Sequence, residues 1–155
     1  MDTSHPAPVS LLLYYHSEVT GDETCETVLA LPVDDTRGLF RISGIPLYAP
    51  GLATGDIVQA TADKPGGSLV FRRLLSASGH STVQVFVMDD VNDAAILREL
   101  FQDLGCATAG NGTGYFVMDV PVHVDYRPVK RQLDDYAFGG ILDYAEPCLA
   151  AGHQY

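Results

Sequence analysis

Between residues 10 and 76 the apolar residues come in short runs, most of them closed by Gly, Pro or Asp, and no run shows a convincing helical stripe. That spacing confines the first half of the chain to short strands joined by tight turns. Residues 10–16 read as a buried strand. Gly21-Asp22-Glu23 turns the chain, and residues 24–31 follow as a strand. Pro32 and the cluster Asp34-Asp35-Thr36-Arg37-Gly38 are expected to end it. Residues 39–42, 57–62 and 68–73 are three further strands. A Gly- and Pro-rich loop at residues 47–56 precedes the second of these, and Lys64-Pro65-Gly66-Gly67 makes a hairpin of the last two. Four or five short strands without a helix predict a small, partly closed SH3-like β-barrel over residues 10–78. A disordered lead at residues 1–9 is expected ahead of it.

Beyond residue 78 the rhythm changes. Residues 82–88 alternate, with Val83, Val85 and Val87 on one face and Thr82, Gln84, Phe86 and Met88 on the other. Asp89-Asp90-Val91-Asn92 offers a turn and an N-cap. Residues 93–104 then put Leu97, Leu100, Phe101 and Leu104 on one helical face, and Gly105 stops the helix. A short edge strand at residues 106–109, a hairpin loop at 110–114 and a strand at 115–120 follow. Asp125 caps a second helix that tolerates Pro128 in its first turn and ends at Gly139-Gly140. Residues 141–145 are a last strand, and the tail is expected to be irregular. The order strand, helix, strand, strand, helix, strand is the ferredoxin-like βαββαβ pattern, over residues 79–149. The fold class is therefore α+β, a barrel packed on a ferredoxin-like half, with residues 150–155 as a tail. Residues 76–81 are too few to let the halves tumble independently.

The all-valine face should meet the two helices. The opposite face carries Gln84 and Phe86, and by the same alternation Tyr115, Val117 and Asp119 share it. Three uses suit such a face: a ligand floor, the interface of a homodimer, or the seat of the barrel, which is the plainest.

Twenty acidic against nine basic residues give a net charge of −11, which opposes nucleic-acid binding through phosphates. The RNA-binding pattern of basic and aromatic residues is also missing, so an RNA-facing role is disfavoured. Cys25, Cys106 and Cys148 form no CxxC pair, and His16 and His123 stand alone. The expectation is free thiols, no metal and no cofactor. No positive charge precedes the short apolar run at residues 9–15, and no run approaches a membrane span. A cytoplasmic protein without a membrane partner is expected.

The polar corner Ser78-Gly79-His80-Ser81-Thr82 carries the candidate chemistry. His80 as general base, Ser81 as hydroxyl and Asp56 as carboxylate are the residue types of a nucleophilic site. Against this, no G-x-S-x-G elbow is present, and neighbours on a strand point to opposite faces. A structural turn with satisfied hydroxyls is the simpler reading. Arg72 and Arg73 are candidates for holding a carboxylate or phosphate, against a plain surface ion pair. Gly110-Asn111-Gly112-Thr113-Gly114 lacks the Lys-Ser/Thr ending of a phosphate loop. The candidate ligand-binding set is Tyr48, Arg72, Arg73, Ser78, Gln84, Tyr115 and Asp119.

Ile45-Pro46, Ala49-Pro50-Gly51-Leu52-Ala53-Thr54-Gly55-Asp56-Ile57-Val58, Phe71-Arg72-Arg73 and Ser78-Gly79-His80-Ser81-Thr82-Val83 together carry a likeness. The chain resembles an uncharacterised bacterial domain-of-unknown-function family, DUF4265, over most of residues 10–148, ending near Asp143-Tyr144. The resemblance supports the domain extent and directs attention to the corner; it implies no substrate and no catalytic role. The expectation is a binding or regulatory module. It would hold a partner protein, a peptide or a small ligand in the groove between the halves, near Tyr48, Arg72, His80 and Tyr115. The alternative is a small hydrolase or isomerase with His80 as base.

Overall fold

The computed structural model describes residues 7–17, 20–88, 94–110 and 114–155. The first sheet contains β1 (Val9–His16), β2 (Glu23–Asp34), β3 (Leu39–Ile42), β4 (Ile57–Ala62) and β5 (Leu69–Ser76). Each pairs antiparallel with the next, and β1 pairs parallel with β5 through Leu11 and Leu12 against Leu69 and Val70. The sheet is thus a closed barrel. Alternate residues fill it: Leu11 and Leu13 from β1, Val28 and Ala30 from β2, Phe40 and Ile42 from β3, Val58 and Ala60 from β4. Each large side chain so buried contributes about 1.5–3 kcal/mol.

Two expectations about the barrel need correction. Pro32 does not end β2, which runs on to Asp34. The pairing with β3 shifts register between Pro32 and Asp34, and such an irregularity relieves a proline of its missing ladder donor. The last barrel strand also continues past Arg73 to Ser76, so it reaches the polar corner directly.

The second sheet is built from β6 (Ser81–Val87), β7 (Ala107–Gly110), β8 (Tyr115–Val120) and β9 (Leu142–Cys148). Its order is β7-β8-β6-β9, with antiparallel neighbours throughout. Helix α1 (Ala94–Asp103) lies between β6 and β7 in the chain, and α2 (Tyr126–Phe138) between β8 and β9. Val83 and Val85 share a core with Leu97 and Phe101 of α1 and Val129 and Leu133 of α2, as the alternation of β6 predicts. The Asp125 carboxylate caps α2 by accepting from the Arg127 backbone N–H at 3.0 Å. The whole is a mixed α+β fold of mostly strands, a closed five-stranded barrel beside a second sheet with two helices.

The tail differs from its expectation. Strand β9 passes through Pro147, where its pairing with β6 shifts between Thr82 and Gln84. A 3-10 turn at Ala151–His153 follows, and it buries His153. Of the lead expected at residues 1–9, Val9 already belongs to β1, and residues 1–6 lie outside the described residues, as do the turn at 89–92 with the start of the first helix at 93 and the tip of the 110–114 loop. Among the described residues no helix is long and apolar enough to cross a membrane.

Candidate functional site

The loop of residues 43–56, between β3 and β4, joins the two sheets. From the barrel side the Glu26 carboxylate accepts from three successive backbone N–H groups, those of Leu47 at 2.9 Å, Tyr48 at 2.8 Å and Ala49 at 2.6 Å. From the other side the Leu47 carbonyl accepts from the Tyr115 hydroxyl and, at 3.4 Å, from the Gln84 amide. The Thr82 hydroxyl donates to the Leu52 carbonyl at 2.9 Å, and the Gly51 N–H to the Pro147 carbonyl at 3.1 Å. One peptide segment is therefore held by both units. It runs across the seam between the units, where the ligand groove was expected.

Register explains why these side chains meet the loop. Thr82 pairs with Asp119, Gln84 with Val117 and Phe86 with Tyr115, so all six share the face turned from the helices. At one end of that face the rings form a run across the seam. Tyr15 stacks on Tyr48 at 6.5 Å, Tyr48 on Tyr115 at 5.3 Å, and Phe86 tilts against Tyr115 at 4.9 Å. Burial raises the Tyr115 hydroxyl far above its ordinary range, so it serves as a neutral donor.

At the other end lies the polar corner. Gly55, at φ +87, lets the loop come up under it: a Cβ there would sit 2.9 Å from Ser78 Cβ. Asp56 is 2% exposed, and its two oxygens accept from the Ser78 N–H at 2.8 Å and the Ala53 N–H at 3.0 Å. The Ser78 hydroxyl donates to the Thr54 carbonyl at 2.6 Å and accepts from the His80 N–H at 3.1 Å. His80 Nδ1 lies 2.7 Å from an oxygen of buried Asp119, with 24% of the imidazole side chain exposed. A neutral imidazole that donates from Nδ1 presents Nε2 as a free acceptor, the arrangement of a general base. Burial raises the Asp119 carboxyl above its ordinary value, with the His80 bond pulling the other way.

The candidate residues therefore divide. His80 pairs with Asp119, and Asp56 and Ser78 brace the same corner. Ser81 is not with them. Its hydroxyl, fully buried, lies 2.6 Å from His153 Nδ1 and accepts from the Ala150 N–H at 2.8 Å. The Pro121 carbonyl, 3.1 Å from His153 Nε2, can only accept, so Nε2 holds a proton, and in the neutral ring Ser81 donates to Nδ1. Ser81 fastens the tail and offers no hydroxyl to His80. Tyr48, Tyr115 and Gln84 belong to the seam.

Arg72 and Arg73 are committed to the β4–β5 hairpin. Arg72 donates to Thr61 Oγ1 at 2.8 Å and pairs with Asp63 at 2.5 Å, and Arg73 donates to Gln59 at 3.1 Å. The cysteines are free. Burial pushes the Cys106 thiol up to about 12 and also raises Cys148, which leaves both as poor nucleophiles. Among the described residues no cluster could hold a metal ion.

Sequence reasoning missed Glu26, Tyr15 and His153. Glu26 continues the inward row of Val28 and Ala30 on β2, where an acid has no local partner to announce it, and His153 stands in a segment with no periodicity. Only their distant partners give them roles.

A closed barrel and a second sheet with two helices, clasped through one shared loop beside a braced imidazole, define a small α+β protein. The chain belongs to the DUF4265 family, described as a domain of unknown function, whose model matches residues 26–144. It matches no curated protein. A solved structure similar to it is titled "Novel crystal structure of a hypothetical protein from Neisseria gonorrhoeae". That chain is 27% identical, with a TM-score of 0.79, and the match covers 95% of this chain and 99% of the other.

Proposed function

We propose that the protein is a binding or regulatory module of the bacterial cytoplasm that holds a partner peptide at the rim of the seam. The carrying observation is the aromatic run. Tyr48 and Phe86 remain 41% and 42% exposed although both lie against Tyr115. Aromatic rings held in place and half open are good anchors, because little side-chain entropy remains to be lost on binding. The Thr82–Asp119 row, where His80 docks, lies four residues along β6 from the Phe86–Tyr115 row, or about 13 Å. A peptide of four or five extended residues would reach from the rings to the imidazole. The order β7-β8-β6-β9 over two helices supports the finer reading of the second unit as ferredoxin-like, and the short closed barrel supports an SH3-like first unit. Free thiols suit a reducing compartment.

The test is a nuclear magnetic resonance screen of the full chain with N-acetyl-phenylalanine amide, N-acetyl-proline amide and short peptides built from both. Saturable shifts centred on Tyr48, Phe86 and Tyr115, lost in Tyr48→Ala, are the expected result. Shifts confined to other surfaces, or unchanged in that variant, would overturn the reading. A second reading, hydrolysis or isomerisation with His80 as base, has the 2.7 Å bond to Asp119 in its favour. It predicts turnover of an activated ester that His80→Ala abolishes.

A further inference from the structure

Away from the seam, a groove of about 920 Å³ opens between α2 and the C-terminal turn. Ligand sites fall between a few hundred and about 1,000 Å³. Tyr126 is buried beneath it, its ring 5.8 Å from that of His153 and 6.4 Å from that of Tyr155. Arg127, Lys130 and Arg131 line it from α2 at a spacing that sets them on one helical face. They are three of nine basic residues in a chain of net charge −11.

The hydrogen-bond inventory bears on the sign of the ligand, with Asp135 the one acid of the lining whose side chain has no hydrogen bond or ion pair among the described residues. The acidic acceptors are largely used. Glu146 takes the hydroxyls of Tyr126 at 2.5 Å and Tyr155 at 2.7 Å. Asp125 takes two guanidinium N–H groups and the backbone N–H of Arg127. Asp134 takes the Tyr144 hydroxyl and lies 3.4 Å from Lys130. The Lys130 ammonium is spent as well, beside Tyr144 and over the rings of Tyr144 and Tyr155 at 4.9 and 4.4 Å.

Arg131 is the exception. Among the described residues its guanidinium makes no hydrogen bond, and no ion pair joins it to Asp135 one turn on. A rigid fork of unspent N–H donors matches two oxygens of a carboxylate or a phosphate. The Tyr155 ring, 72% exposed in the same groove, offers a face to a flat group.

We propose that this groove binds a small ligand carrying a carboxylate or phosphate on a flat, unsaturated body, with the anion on Arg131 and the body on Tyr155. The site is separate from the rim of the seam and stands without it. The experiment is an amide-resolved titration of the full chain with benzoate and adenosine monophosphate, and with acetate and inorganic phosphate as the bare anions. Saturable shifts at residues 130–132 and 152–155 are expected with at least one flat probe. Tighter adenosine monophosphate assigns a phosphate, and tighter benzoate a carboxylate. In Arg131→Ala, a change at an exposed position, binding should weaken about tenfold or more, the loss of one charge-assisted fork. In Tyr155→Leu the flat probes should lose their advantage over the bare anions. No saturable shift from any probe up to about 10 mM, or unchanged affinity in Arg131→Ala, would overturn the proposal.

Discussion

Replacing Asp56 by Ala removes a side chain that accepts from both the barrel loop and the polar corner. Two backbone N–H groups lose their acceptor together. Ala53 is fully buried, so water cannot replace the bond to its N–H; Ser78 is half-buried, and water recovers part of that loss. A buried donor left unpaired costs about 1–3 kcal/mol, so the variant should lose about 2–4 kcal/mol in all. With a urea slope of about 2 kcal/mol per molar, the unfolding midpoint should fall by about 1–2 M. Urea unfolding followed by far-ultraviolet circular dichroism measures this directly. Asp56→Asn keeps one carbonyl oxygen and should recover part of the loss. A midpoint shift below about 0.3 M at unchanged slope for Asp56→Ala would refute the claim that this carboxylate braces the corner.

Ser81→Ala should release the tail: hydrogen exchange at residues 150–154 should quicken well beyond any change in the barrel, and equal protection in both proteins would sink the latch assignment. For Asp119, burial raises the folded carboxyl above its unfolded value, so the folded chain binds that proton more tightly. The resulting stabilisation is full below the unfolded value and is lost as pH rises through the folded one. The stability of the native protein relative to Asp119→Asn should therefore fall as pH climbs through and just above the ordinary carboxylate range. A difference that stays flat or rises there would contradict it.

Period-two patterning made the second sheet readable. The alternation of Val83, Val85 and Val87 placed the helices, and the same count put Thr82, Gln84, Phe86, Tyr115 and Asp119 on the opposite face. Asp125 was legible because a helix cap asks for particular residue types, and the glycines and proline of residues 47–56 marked that stretch as a loop. The prolines misled. Pro32 sits inside β2 at a register shift, and Pro147 sits in β9, an edge strand, and both places tolerate proline within a sheet. The partners of the site residues were out of reach for another reason. Ser81 meets His153 across 72 positions and His80 meets Asp119 across 39, and no local pattern encodes such distances. Arg72 and Arg73 lie beside the corner in sequence, yet the hairpin of β4 and β5 takes them first.

The Leu47 carbonyl waits for partners made long after it. Gln84 lies 37 positions downstream and Tyr115 lies 68, whereas Glu26, which holds the N–H side of the same loop, has already been synthesised. A chain growing from its N-terminus can thus close the barrel while one side of this loop stays unfastened. Until translation delivers the second sheet, Tyr48 lacks Tyr115 to stack on and Leu52 lacks its tie to Thr82. A nascent chain stalled between the two halves would present this half-sewn strip to chaperones and proteases, and completing the polypeptide withdraws it.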